Sequence, residues 1–84
     1  MEEKHYVYIL ETERGTLYCG YTNNVERRFK AHLAGKGAKY TKANKPTKIV
    51  YTKEYQTKSE ALKEELRIKK LSKDKKLELI STKE

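Results

Sequence analysis

The chain has one cysteine among its 84 residues, Cys19. That excludes an intrachain disulfide and any zinc site built from several cysteines. Cys19 falls on the aliphatic side of a strand pattern and reads as a small core residue, not a nucleophile. Long apolar runs are also missing. None approaches the ~20 residues that cross a bilayer, and no signal-peptide core follows Met1. The expectation is a cytoplasmic protein with no membrane partner. No internal repeat or low-complexity linker breaks the chain, so residues 1–84 are expected to form a single domain. Finally, one long interval lacks acidic residues altogether: none lies between Glu26 and Glu54.

That interval holds Arg27, Arg28, Lys30, Lys36, Lys39, Lys42, Lys45, Lys48 and Lys53, nine cations. The net charge of the whole chain is +8, so everything outside the interval sums to −1. Charge segregated in this way points to a polyanion as partner. The competing reading is a solvated lysine-rich surface. A membrane surface fits less well, because the basic stretch has no matching apolar helical face.

Hydrophobic residues make up 36% of the chain and charged residues 38%. A domain of this length buries only roughly 60% of its unfolded surface. Seven tyrosines help to close the gap, since each adds apolar area while keeping a polar tip.

The chain is organised around Tyr6 to His32. Tyr6-Val7-Tyr8-Ile9-Leu10 alternates aromatic and aliphatic residues as a strand does, and Thr16-Leu17-Tyr18-Cys19-Gly20 forms a second short run. A three-residue loop, Glu13-Arg14-Gly15 with Gly15 left-handed, pairs Thr12 with Thr16. Tyr8 then faces Gly20, and Tyr18 faces Leu10. Tyr8 and Tyr18 become diagonal neighbours on one sheet face, while Val7, Ile9, Leu17 and Cys19 share the other. Val25, Phe29 and Leu33 follow at helical spacing, with Asn23 and Glu26 as the expected cap pair and Gly35 as the stop. On that helix Arg28 and His32 lie one turn apart on one side.

Met1 to Lys4 reads as a polar lead-in, and His5 as an edge residue ahead of the first strand. Gly35-Lys36-Gly37 is expected to be flexible, Lys39 to Lys42 to form a single turn, and Pro46 to close that excursion. Lys48 to Tyr55 reads as a third strand. Thr57-x-x-Glu60 is a capping box that opens a helix whose Ala61, Leu62, Leu66, Ile68 and Leu71 should face the core. Glu65 projects beside that stripe, while Glu64 points more outward. A carboxylate so placed needs a cation, either Lys69 at i+4 or a metal. Ser72 is expected to break the helix and cap a last one, with Leu77 and Ile80 packing down.

The ordered set Tyr6-Val7-Tyr8, Tyr18-Cys19-Gly20, Arg28, His32, Gly37-Ala38-Lys39-Tyr40-Thr41 and Glu65 resembles the GIY-YIG nuclease superfamily, in its small stand-alone bacterial branch of YhbQ/YazA-like proteins. The likeness covers nearly the whole chain. It departs from the pattern at Tyr6, where the first signature has glycine, and in lacking a late Asn after Glu65. The resemblance implies an α+β fold, a small three-stranded mainly antiparallel sheet flanked by helices in the order β-β-α-β-α-α. It implies Tyr8, Tyr18, Arg28 and His32 as catalytic residues and Glu65 as the ligand of one divalent cation, Mg²⁺ with Mn²⁺ as substitute. In this reading Tyr8 activates water, a role that requires nearby cations to favour its phenolate, and Tyr18 orients water or substrate. Arg28 offers phosphate a permanently charged fork, and Gly20 leaves room for substrate.

The expected function is metal-dependent hydrolysis of phosphodiester bonds in DNA, which is favoured over RNA. Arg27, Lys36, Lys39, Lys42 and Lys45, with Gly20 and Tyr40 beside them, are the expected nucleic-acid contacts. Selectivity is expected to rest on DNA shape, ends or junctions, or on a protein partner or self-association. The alternative is a non-catalytic nucleic-acid-binding module. A structural adaptor is a third reading, supported only by the charged last helix.

Overall fold

A computed structural model describes residues 4–82. The lead-in expected at Met1 to Lys4 therefore lies mostly outside the described residues. Seven elements follow in order: β1 (His5–Thr12), β2 (Leu17–Thr22), α1 (Val25–Leu33), α2 (Lys39–Ala43), β3 (Pro46–Tyr55), α3 (Lys58–Lys69) and α4 (Lys73–Thr82). The sheet is antiparallel with strand order β2-β1-β3, so β1 is central. The architecture is thus α+β, as expected, with the one-turn α2 inserted before β3.

The hairpin forms because Gly15 takes a positive φ of 79°, which glycine alone adopts without strain. Thr12 and Thr16 close the turn through a backbone bond of 2.9 Å and a hydroxyl contact of 2.7 Å. The expected register holds, with Tyr8 opposite Gly20 and Leu10 opposite Tyr18. The sheet's two faces are therefore chemically different. Val7, Ile9 and Cys19 meet Ala61 and Ile68 of α3, with Tyr51 beside them, and Leu79 and Ile80 of α4 pack around this cluster. On the opposite face Tyr8 reaches His32 of α1, Gly20 lies against the Tyr8 ring, and Leu10 is fully buried.

Several local expectations are corrected. Asn24, not Asn23, caps α1: its backbone is extended and its side chain accepts the Arg27 N–H at 3.0 Å. His5 begins the central strand opposite Tyr55, and Pro46 begins β3 opposite Thr12. The most buried residue of α1 is His32, whereas Leu33 is exposed.

On α3 the expected capping box is present, but Leu62 and Leu66 are exposed. The reason is angular. At about 100° per residue, Ala61 and Ile68 share one line, Glu65 lies about 40° to one side, and Glu64 lies about 60° to the other. Leu62 and Leu66 sit about 100° and about 140° away, beyond the reach of a three-stranded sheet. Glu64 consequently does not point outward. It is half-buried and paired with Arg67. Ser72 does cap α4 through the Lys75 N–H, but Leu77 is exposed, and Leu79 joins Ile80 in packing down.

Candidate active site

The tyrosine face is built around a buried imidazole. His32 is 1% exposed, and both ring nitrogens are engaged: Nδ1 lies 2.7 Å from Thr41 Oγ1 and Nε2 lies 2.9 Å from Tyr8 Oη. The Thr41 hydroxyl donates its one proton to the Ala38 carbonyl at 2.9 Å. It can therefore only accept from His32, which places the imidazole proton on Nδ1. Nε2 is left with a lone pair, and Tyr8 donates to it. The chain of bonds reads Tyr8 to His32 to Thr41 to Ala38, in one direction.

Two glycines make this approach feasible. A Cβ on Gly20 would stand 2.5 Å from Tyr8 Oη, and one on Gly37 would overlap the His32 ring. The space beside Gly20 is therefore filled by the Tyr8 phenol and is not room for substrate. Nor is Gly37 simply a flexible link, since it is the wall against which His32 packs. The sequence alone assigns no role in the site to Thr41 or Gly37, although both belong to the Gly37-to-Thr41 segment that carries the family resemblance.

The electrostatics follow from burial. Tyr8 is 2% exposed, and desolvation pushes its phenol up to about 12 despite the pull of the Arg28 guanidinium. Tyr8 is therefore not a standing phenolate, because burial outweighs the nearby cation. Burial also lowers the His32 pKa below its usual value, and Arg28 lowers it further. At neutral pH the pair is a neutral phenol hydrogen-bonded to a neutral imidazole.

Tyr18 completes the cluster. Its ring meets His32 edge-on at 5.5 Å and lies 6.4 Å from the Tyr8 ring. Tyr40 stacks on Tyr18 at 5.9 Å, and its hydroxyl donates to Thr16 Oγ1 at 2.6 Å, tying α2 to the hairpin. Four residues expected in the site, Tyr8, Tyr18, Arg28 and His32, are thus brought together, and Tyr40 joins them as a packing partner.

Glu65 stands apart from these contacts. Its carboxylate pairs with Lys69 at 3.1 Å and is mostly buried. Its charge still reaches the tyrosine face, adding to the effect of burial in raising Tyr8. Among the described residues no three His, Cys, Asp or Glu side chains cluster as a metal cage. Cys19 is buried in the core, and burial, with Glu65 adding to it, pushes its thiol up to about 12. It is not a ready nucleophile or ligand.

The expected nucleic-acid contacts are spread around this centre. Arg27 is exposed on α1, Lys36 follows that helix, Lys39 and Lys42 are exposed on α2, and Lys45 precedes β3. A hollow of about 800 Å³ lies between Tyr6, Phe29, Leu33 and Ile49, and it contains none of the candidate catalytic residues.

Residues 4–78 match the family model of the GIY-YIG catalytic domain. The chain belongs to that family. It is 51% identical to a UPF0213 protein of Oceanobacillus iheyensis, over all of this chain and 98% of the relative. It is likewise 51% identical to a UPF0213 protein of Staphylococcus saprophyticus, over 94% of this chain and 96% of that one. A solution structure of a UPF0213 protein from Bacillus halodurans superposes with a TM-score of 0.63 at 49% identity, covering 95% of this chain and 85% of that chain. A solution structure of the protein EF2693 from E. faecalis gives 0.65 at 40% identity, covering 98% of this chain and 90% of that chain. The GIY-YIG family is one of nuclease type, which makes nucleic acid the substrate class. Among the described residues no helix is long and apolar enough to cross a membrane.

Proposed function

We propose that this chain is a divalent-metal-dependent endonuclease that hydrolyses phosphodiester bonds in DNA, with selectivity for the structure of the nucleic acid over its base sequence. The observation that carries the reading is the one-directional chain from Tyr8 through His32 to Thr41.

That chain offers a base without requiring a phenolate. As water attacks phosphorus, its proton passes to Tyr8 Oη while the Tyr8 proton moves to His32 Nε2. Tyr8 ends as it began, and the imidazolium is held by Thr41 through Nδ1–H. The bridging P–O bond breaks, and the leaving oxygen takes a proton from solvent. Arg28 binds the non-bridging oxygens. Substrate binding also tunes the base. A phosphate on Arg28 offsets the charge that depresses His32, so the imidazole becomes a better acceptor when substrate arrives.

Glu65 is the residue that would hold the cation. A lone carboxylate fits Mg²⁺ or Mn²⁺, hard ions that keep most of their waters and take the rest of their ligands from substrate phosphate. Once bound, the ion would supply Lewis-acid stabilisation of the phosphoryl oxygens. Lys69 compensates the Glu65 charge meanwhile.

A second reading has its own support. A tyrosine that is 2% exposed and fully hydrogen-bonded also suits a structural latch joining β1, α1 and α2 in a nucleic-acid-binding module. A cleavage panel of single-stranded, duplex and branched DNA and of RNA, with and without Mg²⁺ or Mn²⁺, separates the two. Metal-dependent cutting of DNA that Tyr8→Phe slows by about 10²-fold supports the enzyme. Binding without any cutting supports the module.

A further inference from the structure

Two hollows straddle the free edge of β2. One, of about 310 Å³, is lined by His5, Tyr21, Thr22, Asn23, Arg28 and Lys58. The other, of about 330 Å³, is lined by Leu17, Tyr18, Cys19, Tyr40, Lys69 and Lys76. Each draws residues from both faces of the sheet, as only a cleft wrapping around an edge can do. Each also combines an aromatic pair with two cations. In the first, His5 stacks on Tyr21 at 5.9 Å and Lys58 Nζ lies 5.9 Å from the Tyr21 ring, with Arg28 alongside. In the second, Tyr40 stacks on Tyr18, with Lys69 and Lys76 alongside.

Three of these four cations, Lys58, Lys69 and Lys76, come from helices outside the acid-free interval. On α3, Lys58 and Lys69 fall about 60° and about 80° from the Ala61 line, on the same side as Glu65. That flank of the helix faces β2. Lys76 is half-buried on α4 and makes no ion pair among the described residues. A half-buried lysine beside an aromatic stack offers its charge to a backbone phosphate while the stack offers a ring to a base.

We propose that the substrate strand runs along the β2 edge, gripped on either side of the active site by these two cation–aromatic subsites. The proposal deepens the nuclease reading and rests on it for the place of the scissile phosphate between the hollows. Tyr18 and Tyr21 are three residues apart, about 10 Å along the strand, so neighbouring nucleotides can reach both. Stacking on Tyr40 requires a base that is not paired within a duplex. The substrate class is therefore nucleic acid with an unpaired strand at the cut, such as a flap, an end or a loop. The strand then leaves past α2, where Lys39 and Lys42 are exposed.

The test is binding of a short fluorescein-labelled oligothymidylate and of a blunt duplex, measured by anisotropy in EDTA so that nothing is cut. Lys58→Glu and Lys76→Glu should each weaken single-strand binding about fivefold or more and flatten the log–log salt slope by about 0.7 per lost contact. Lys63→Glu, the same charge change at an exposed position on α3 outside both hollows, should stay within twofold. Tyr40→Leu should bind about tenfold more weakly, and Tyr40→Phe, which keeps the stacking ring and loses only the hydroxyl bonded to Thr16, should recover most of that loss, with amide spectra checking that both are folded. The duplex should bind more weakly than the single strand.

If Lys58→Glu and Lys76→Glu behave like Lys63→Glu, the path is wrong. Cleavage by the parent in that case leaves the nuclease reading standing. If these variants lose binding as expected but the parent cuts nothing, the path stands and the nuclease reading falls. A duplex bound as tightly as the single strand, with Tyr40→Leu silent, overturns the unpaired substrate.

Discussion

The two faces of the small sheet solve the same packing problem by different means. On the aliphatic face Val7, Ile9 and Cys19 meet Ala61 and Ile68 through contacts without direction. Apolar side chains of similar volume would serve there. On the tyrosine face Tyr8 and His32 are equally buried, but their placement depends on a directed hydrogen-bond chain and on two missing Cβ atoms, at Gly20 and Gly37. A buried polar network is costly unless every member is satisfied. In the nuclease reading that network is what shapes this face for chemistry.

Glu65 tests the division most severely, because it sits on the helix that closes the aliphatic face while its charge reaches the other. Glu65→Gln should abolish metal-dependent cleavage and leave the fold and most DNA binding intact. Glu64→Gln, whose partner is Arg67 on the far side of α3, should change the rate little. Equal cleavage by both variants would remove Glu65 from the metal site.

The next contrast crosses the sheet. Tyr8→Phe deletes the hydroxyl that relays the proton and leaves His32 Nε2 unpaired; it should cost about 10²-fold in the single-turnover rate, with DNA affinity nearly unchanged. Ile68→Ala should do the reverse, losing about 2–5 kcal/mol of stability while the folded fraction cuts at the parental rate. Cleavage that survives Tyr8→Phe would pass the base role to Tyr18. Smaller effects are expected at the glycines. Gly20→Ala and Gly37→Ala each force a shift in a buried ring, which should cost about 1–3 kcal/mol. Both should also lower the rate, because the ring that moves is the one that carries the proton. A denaturant melt paired with single-turnover kinetics would show whether stability and rate fall together.

The same division governed what could be read in advance. Alternation and Gly15 determine the hairpin register, because a slip of one residue would turn every side chain over. The proximity of Tyr8, Tyr18, Arg28 and His32 followed from that register and from one helical turn. The direction of the proton chain did not. It depends on Thr41 and Gly37, which reach His32 only after the chain has turned through Gly35, and no local pattern encodes that return. Leu62 and Leu66 misled for a related reason. An apolar stripe shows which side of a helix is greasy, but not how wide a surface awaits it. A three-stranded sheet is too narrow to cover both leucines, so Glu64 and Glu65 are drawn to its margins.

The subtlest difference between the faces should appear in pH. The aliphatic cluster of Val7, Ile9, Cys19, Ala61 and Ile68 holds no imidazole or carboxyl group, whereas His32 is held neutral with its pKa below the usual value by burial and by Arg28. An unfolded chain binds a proton at His32 near pH 6.5, while the folded chain refuses it until lower pH. Stability from this group is therefore complete above about pH 6.5 and declines as the pH falls through that value toward the folded pKa. His32→Gln should flatten this part of the stability profile. The Glu64–Arg67 pair loses its contribution only at lower pH, since its carboxyl is held below the usual carboxylate value, so the two declines are separable. Kinetics offer a sharper version. The acid limb of kcat/KM reports His32 in the free enzyme, and that of kcat reports it with phosphate on Arg28. Because the phosphate offsets the charge that depresses His32, the kcat limb should lie at higher pH than the kcat/KM limb. Coincident limbs would mean that Arg28 does not hold the phosphate beside the base. Limbs in the reverse order would mean that the proton does not go to His32.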